Sequence, residues 1–196
     1  MTASGFLVPR TAVLTRRRFA RRSLLPLEPD YLWQIETGVV RTLTCNEEGA
    51  FITLGVWGPG DVVGSTLSKA DPYQIECLTL VETTLLPKSR WHEATPAMIQ
   101  HIQKSQELLE IVHSKSVDIA LLKLLAWLAN RFGHKTEQGQ LIDLRLTHQE
   151  ISELIGATRV TVTRVLNEFE RRGVIQRMPH RFIVLQDSQP LWHYEI

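Results

Sequence analysis

The side chains best placed to do chemistry lie between Arg159 and Arg172. At 100° per residue, Val160, Arg164, Asn167 and Arg171 share one side of a helix, with Thr163 beside them and Arg159 on the leading turn. A guanidinium is a rigid fork of donors, and its best base partner is guanine O6/N7, held in bidentate fashion in a major groove. Arg159 and Arg164 are therefore candidate guanine readers, and the exposed apolar Val160 suits a thymine methyl. The opposite side carries Val162, Val165, Leu166 and Phe169 at i, i+3, i+4, i+7, the stripe a helix buries. Enzyme chemistry has no comparable signal. There is no nucleophile elbow, no paired catalytic carboxylates and no phosphate loop, and the seven histidines show no ligand spacing, so no cofactor or metal is expected. Gly58–Gly64 has the spacing G-x-G-x-x-x-G and reads as a β-turn, not a dinucleotide fingerprint.

Local signals say how such a helix would be held. Thr147-His148-Gln149-Glu150 is a capping box: the threonine hydroxyl takes a free backbone N–H, and the glutamate reaches back to the cap. The short helix it starts turns Ile151, Leu154 and Ile155 inward. Gly156-Ala157 supplies a tight turn in which positive φ costs nothing, and Thr158 caps the next helix, over about 159–172. Two short β runs follow, 174–177 and 182–185, joined through Met178-Pro179-His180-Arg181. Helix, turn, helix and hairpin make a winged helix–turn–helix, whose second helix has the length and the polar face to enter a major groove. A surface helical hairpin with merely solvated arginines would not need cap, glycine turn, two-faced helix and wing together.

The rest of the chain divides by pattern. Short runs rich in Val, Ile, Thr, Trp and Leu predict strands near 31–36, 39–44, 50–56, 74–79 and 81–86, a small antiparallel barrel or sandwich. From about Pro96 the period becomes helical. Met98, Ile102, Ser105, Leu109, Val112, Ser116 and Ile119 form an a/d seam over three heptads, with Leu108 and Ile111 beside it. A seam this narrow calls for a partner helix, hence a symmetric dimer; packing on the chain's own barrel is the alternative. A Leu-rich second helix over about 117–132 ends at Gly133. The expected fold class is α+β, with a basic, flexible arm over 1–22, a barrel over 23–95, the dimerisation helix and its successor over 96–133, and the winged helix–turn–helix over 134–196.

The 196 residues carry 22 Lys+Arg against 21 Asp+Glu, a net charge of +1 that excludes a uniformly basic coat. The charge is nevertheless sorted. Residues 1–22 hold +6, 23–155 hold −7, 156–181 hold +4 and 182–196 hold −2. The two cysteines, Cys45 and Cys77, are far apart and fit free thiols in a reducing compartment. No apolar run approaches the ~18 residues of a membrane span. Thr15-Arg16-Arg17-Arg18-Phe19 looks like a twin-arginine export signal, but the apolar stretch behind it stops at Pro26 and Glu28, short of the ~7–15 residues required. A cytoplasmic location is expected.

Thr147–Arg172 resembles the DNA-binding signature of the CRP/FNR family, the cyclic-AMP receptor protein and fumarate–nitrate regulator type of bacterial transcription factor. Upstream, Ile35-Glu36-Thr37-Gly38-Val39-Val40-Arg41 and the stretch from Leu54 to Gly64 are similar to the family's barrel strands and turn, and the seam helix to its dimer helix. The resemblance covers residues 24–186. Thr158–Arg164 is most similar to the nitrogen-control branch of photosynthetic bacteria. The resemblance implies a jelly-roll, cyclic-nucleotide-binding-like barrel and a homodimer on a near-palindromic double-stranded DNA site, with RNA polymerase as a further partner. Base contacts then fall to Arg159, Val160, Thr163 and Arg164. Phosphate contacts fall to Thr147, His148, Gln149, Thr158 and Thr161, with His180 and Arg181 in the wing. The family commonly has Glu where Val160 stands, and Glu would accept from cytosine N4; valine cannot, which favours a G–T-type step in each half-site. The family's cyclic-nucleotide site pairs Gly-Glu with Arg-Ser. Here Gly64 is followed by Ser65, and no Arg-Ser precedes the next strand, so no cyclic nucleotide is expected. The nitrogen-control resemblance leaves an organic-acid effector open, but no residue specifies one. Two other functions compete: a non-specific nucleoid-type DNA binder, if the arginine arm dominates affinity, and a small-molecule-binding barrel with a helical tail.

Overall fold

The structure is a computed structural model that describes residues 15–178 and 181–185. Its amino-terminal part holds β1 (Arg16–Phe19), β2 (Tyr31–Thr37), β3 (Val40–Cys45), β4 (Phe51–Trp57), β5 (Val62–Val63), β6 (Gln74–Cys77) and β7 (Val81–Pro87). These do not close into a barrel. They form two antiparallel sheets, β1-β7-β2-β5 and β4-β3-β6, arranged as a jelly roll. Alternation explains why the sheets face one another. Trp33, Ile35, Val63 and Val81 from one and Val40, Trp57, Ile75 and Cys77 from the other are buried in one shared cluster. The β3–β4 hairpin is fixed by Asn46, whose side-chain oxygen accepts from the backbone N–H groups of Glu48 and Ala50, while Gly49 takes φ 80°.

The expected flexible arm over 1–22 needs correction where it is described. Arg16–Phe19 is a strand, paired residue for residue with β7 from Arg16↔Thr84 to Phe19↔Val81. Residues 1–14 lie outside the described part.

The helices are α1 (Thr95–Val112), α2 (Val117–Phe132), α3 (His148–Ile155) and α4 (Arg159–Arg171); β8 (Gly133–Lys135), β9 (Gly139–Ile142), β10 (Ile175–Met178) and β11 (Arg181–Leu185) complete the chain. The expected seam is not one helix, since α1 stops at Val112 and α2 starts at Val117, with Ser116 as its N-cap. Met98 is also off the seam: it packs beside Leu32, Val62, Leu86 and Ala94 in the chain's own core. Ser105 is half-buried and donates its hydroxyl to the His101 carbonyl, 2.8 Å. Ile102, Leu109, Val112 and Ile119 remain exposed, and Ile99 joins them in place of Met98. Leu108 and Ile111 are buried on the inner face of α1.

The wing is the outer hairpin of a four-stranded sheet, β10-β11-β9-β8. Its core does not stand alone. Leu121, Leu124, Leu125 and Leu128 of α2 join Ile151, Leu154, Val162, Val165, Leu166 and Phe169 with Val39, Val56 and Leu78 from the β layers in one cluster. Burial of that many aliphatic side chains, at about 1.5–3 kcal/mol each, holds the helix–turn–helix against the β layers.

Two buried charge clusters reinforce the seam between layers. Arg41 on β3 binds Glu76 of β6 and Glu153 of α3, each at 2.7 Å. Asp61, just before β5, accepts from the Gly58 N–H at 2.9 Å, from Arg131 of α2 at 3.0 Å and from Lys104 of α1. Beside it, Trp57 stacks on His101 with centroids 3.7 Å apart. No helix among the described residues is long and apolar enough to cross a membrane.

Candidate nucleic-acid interface

The site is built on two capped helix starts. The Thr147 hydroxyl accepts from the Glu150 N–H at 3.1 Å, and the Glu150 carboxylate accepts from the Thr147 N–H at 2.6 Å, so the capping box is complete. Gly156 ends α3 at φ 65°, the left-handed conformation the turn needs. The Thr158 hydroxyl then caps α4, accepting from the Thr161 N–H at 3.1 Å, and contacts the Thr161 hydroxyl at 2.9 Å. Both cap hydroxyls are thus engaged in holding helix ends. What Thr147 and Thr158 can still offer an anion is the helix start itself, where free N–H groups and the dipole favour negative charge.

Val162, Val165, Leu166 and Phe169 bury the inner side of α4, as the spacing requires. The outer side forms one continuous surface of Arg159, Val160, Thr163, Arg164, Asn167, Glu168 and Arg171. Val160 is 77% exposed, a high value for a valine. Arg171 is paired with Glu168 on the same helix. Among the described residues, Arg159 and Arg164 form no salt bridge, although the Asp118 carboxylate of α2 feels the charge of Arg164. These two guanidiniums keep their donor forks for an outside acceptor.

A second groove runs alongside, lined by Thr147, His148, Gln149, Arg159, Arg177 and Met178 among others. It brings together three of the expected backbone contacts, Thr147, His148 and Gln149, but several of the expected residues are already engaged. Gln149 donates to Glu153 at 3.0 Å, and Arg181 pairs with Asp143 at 2.8 Å. His148 contacts the Thr163 hydroxyl at 2.8 Å. Its pKa lies below the ordinary histidine value, because burial disfavours the charged ring and the guanidiniums of Arg177 and Arg159 repel it. His180 lies outside the described residues. Arg177, which pairs with Glu170, is a groove residue that helix-centred reasoning from the sequence missed. Its signal was its place on the first wing strand, across from the start of α3.

Comparison with other proteins agrees with a helix–turn–helix domain at this end of the chain. A model of the Crp-like helix-turn-helix domain matches residues 120–194. The regulatory protein CysR of Synechococcus elongatus is 41% identical over 181 residues, covering 90% of this chain and 86% of its own. The global nitrogen regulator of a Nostoc strain is 29% identical over 154 residues, 70% of this chain and 69% of that one. Among solved structures, a CRP-family transcriptional regulator from Thermus thermophilus superposes with a TM-score of 0.78 at 25% identity, over 89% of this chain and 94% of that one.

Proposed function

Because the chain belongs to the CRP/FNR family of DNA-binding transcriptional regulators, we propose that it acts as a homodimer on a near-palindromic site, with one α4 in the major groove of each half-site. The observation that carries this is the outer side of α4, where Arg159 and Arg164 form no salt bridge and flank a protruding Val160. Arg159 and Arg164 take guanines by bidentate pairing, Val160 meets a thymine methyl, and Thr163 lies between them. Thr147, His148, Gln149, Thr158 and Thr161 approach the backbone from the two helix starts, with Arg181 from the wing, and position α4 without reading sequence.

The dimer rests on an apolar row that one protomer leaves in water: Ile99, Ile102, Leu109, Val112 and Ile119, with Ile102 60% and Leu109 57% exposed. Two copies joined along α1 would set their recognition helices about 34 Å apart, one turn of the duplex. In that arrangement residues 16–95 are the regulatory layers, 96–133 the dimerisation segment and 134–196 the DNA-binding part. RNA polymerase is the expected protein partner, and the position of the site relative to it decides activation or repression. The loop after Gly64 supplies no Glu and no Arg-Ser pair, so a cyclic nucleotide is not the expected effector.

Selection of bound duplexes from a random pool, with no ligand added, tests the proposal. A near-palindrome with half-site centres about 10 base pairs apart supports it. Retention of duplexes without any shared motif would overturn it in favour of a non-specific binder.

A further inference from the structure

The arginines near the amino terminus form an ordered surface. β1 carries Arg16, Arg17 and Arg18, the turn behind it carries Arg21 and Arg22, and all of them are exposed. The strand is an edge, hydrogen-bonded only to β7. Phe19 meets Trp33 edge-on with centroids 5.4 Å apart, and Arg17 lies 5.4 Å over the same ring. Alternation along the strand puts Arg16 and Arg18 on the other face, where Glu82 takes Arg18 at 2.6 Å. Among the described residues, Arg16, Arg17, Arg21, Arg22 and Arg145 have no carboxylate partner. Exposed arginines without carboxylate partners give this surface a local positive potential, which a polyanion neutralises.

Arg21 fixes where the cluster sits. Its guanidinium donates to the Leu78 carbonyl at 2.9 Å and to the Arg145 carbonyl at 2.8 Å. Arg145 stands two residues ahead of Thr147, the cap of α3. The arginine turn therefore abuts the start of the helix that crosses the DNA backbone in a helix–turn–helix.

We propose that Arg16, Arg21 and Arg22, continued by Arg145, form a second DNA contact: a track for the phosphates that flank the site read by α4. The inference rests on the DNA-reading role of α4 argued above. A four-residue strand is about 13 Å long, and a duplex carries one charge per ~1.7 Å of axis, so the surface meets several phosphates. Contacts of this kind add affinity without base preference.

The test compares two duplexes bearing the same selected palindrome, one ending just outside the half-sites and one longer by about a helical turn on each side. Wild-type protein binds the longer duplex more tightly and with a steeper salt dependence. The double variant Arg16→Gln, Arg22→Asn, which leaves Arg21 and Arg145 in place, loses a large part of that gain and keeps its affinity for the short duplex; asparagine is chosen because Arg22 has φ 68°. The slope of log K against log salt on the long duplex flattens by about 0.9 per lost phosphate contact. Arg18→Gln, which removes a guanidinium already paired with Glu82, leaves the gain in place. The proposal is overturned if wild-type protein gains nothing from the longer duplex, as an acidic protein partner for this patch would require. Equal losses of the double variant on both duplexes would overturn it too. Failure of wild-type protein to prefer the palindrome over an unrelated short duplex would instead strike the role of α4. Matching thermal unfolding of the variants and wild type checks that the fold is intact.

Discussion

The Nδ1 atom of His148 lies 2.8 Å from the Thr163 hydroxyl, which joins the first turn of α3 to the recognition helix α4. That hydroxyl donates its own proton to the Arg159 carbonyl at 2.9 Å. It can only accept from the imidazole, so Nδ1 carries the ring proton and the Nε2 of neutral His148 is an acceptor. A phosphate oxygen also only accepts. His148 can hold a phosphate through Nε2 only after gaining a second proton.

DNA affinity should therefore rise as the pH falls. Burial, Arg177 and Arg159 depress the pKa of His148 in the free protein, and an arriving phosphate raises it. Binding then takes up a proton, and the gain appears as the pH drops below the pKa of the bound form. Titrations between about pH 8 and about pH 6 at fixed ionic strength should show affinity increasing toward acid. In His148→Asn this dependence should vanish, whereas an unchanged profile would remove His148 from the backbone contacts.

The two caps should matter for stability. Thr147→Ala removes the hydroxyl that accepts from Glu150, and Thr158→Ala the one that accepts from Thr161. Each should cost about 0.5–2 kcal/mol in urea unfolding. A Ser replacement should recover most of that cost, because it restores the oxygen at the same place.

The Arg41 cluster should weigh more heavily. Arg41→Met leaves Glu76 and Glu153 facing each other across the contact between β3 and α3, with no cation between them. Breaking a buried pair in this way costs about 3–5 kcal/mol. Adding Glu76→Gln and Glu153→Gln to that variant should recover much of the loss, and a lack of recovery would mean that Arg41 acts through packing alone.

The reading head was legible because its signals are local. The capping box, the glycine turn and the two-faced helix each occupy a few neighbouring residues, and the structure reproduces them. What escaped depended on contacts far along the chain. Arg16–Phe19 has no strand-like alternation of polar and apolar residues, and it is a strand because β7 offers an open edge. The heptad count continued through His113–Ser116, where the backbone leaves the helix, and it could not distinguish Met98, held by the β layers, from its neighbour Ile99, which faces solvent. Arg177 entered the groove only when the wing folded back on α3.

That difference predicts a split along α1. Ile102→Lys and Leu109→Lys place charge on the exposed row, and sedimentation should show folded monomers whose unfolding midpoint no longer depends on protein concentration. Met98→Lys places charge in the protomer's own core and should lower the midpoint before it changes the oligomeric state. Dimers that survive both seam substitutions would rule out α1 as the interface.

The most direct test of the central claim, that α4 reads sequence through Arg159, is a binding titration with wild type and Arg159→Ala. Two duplexes are needed: the selected palindrome and the same palindrome with the paired guanines replaced. On the intact site the substitution should cost about 1–3 kcal/mol per half-site, and on the altered site close to nothing, since the partner of the guanidinium is already gone. Equal losses on both duplexes would contradict the account and reduce Arg159 to a backbone contact.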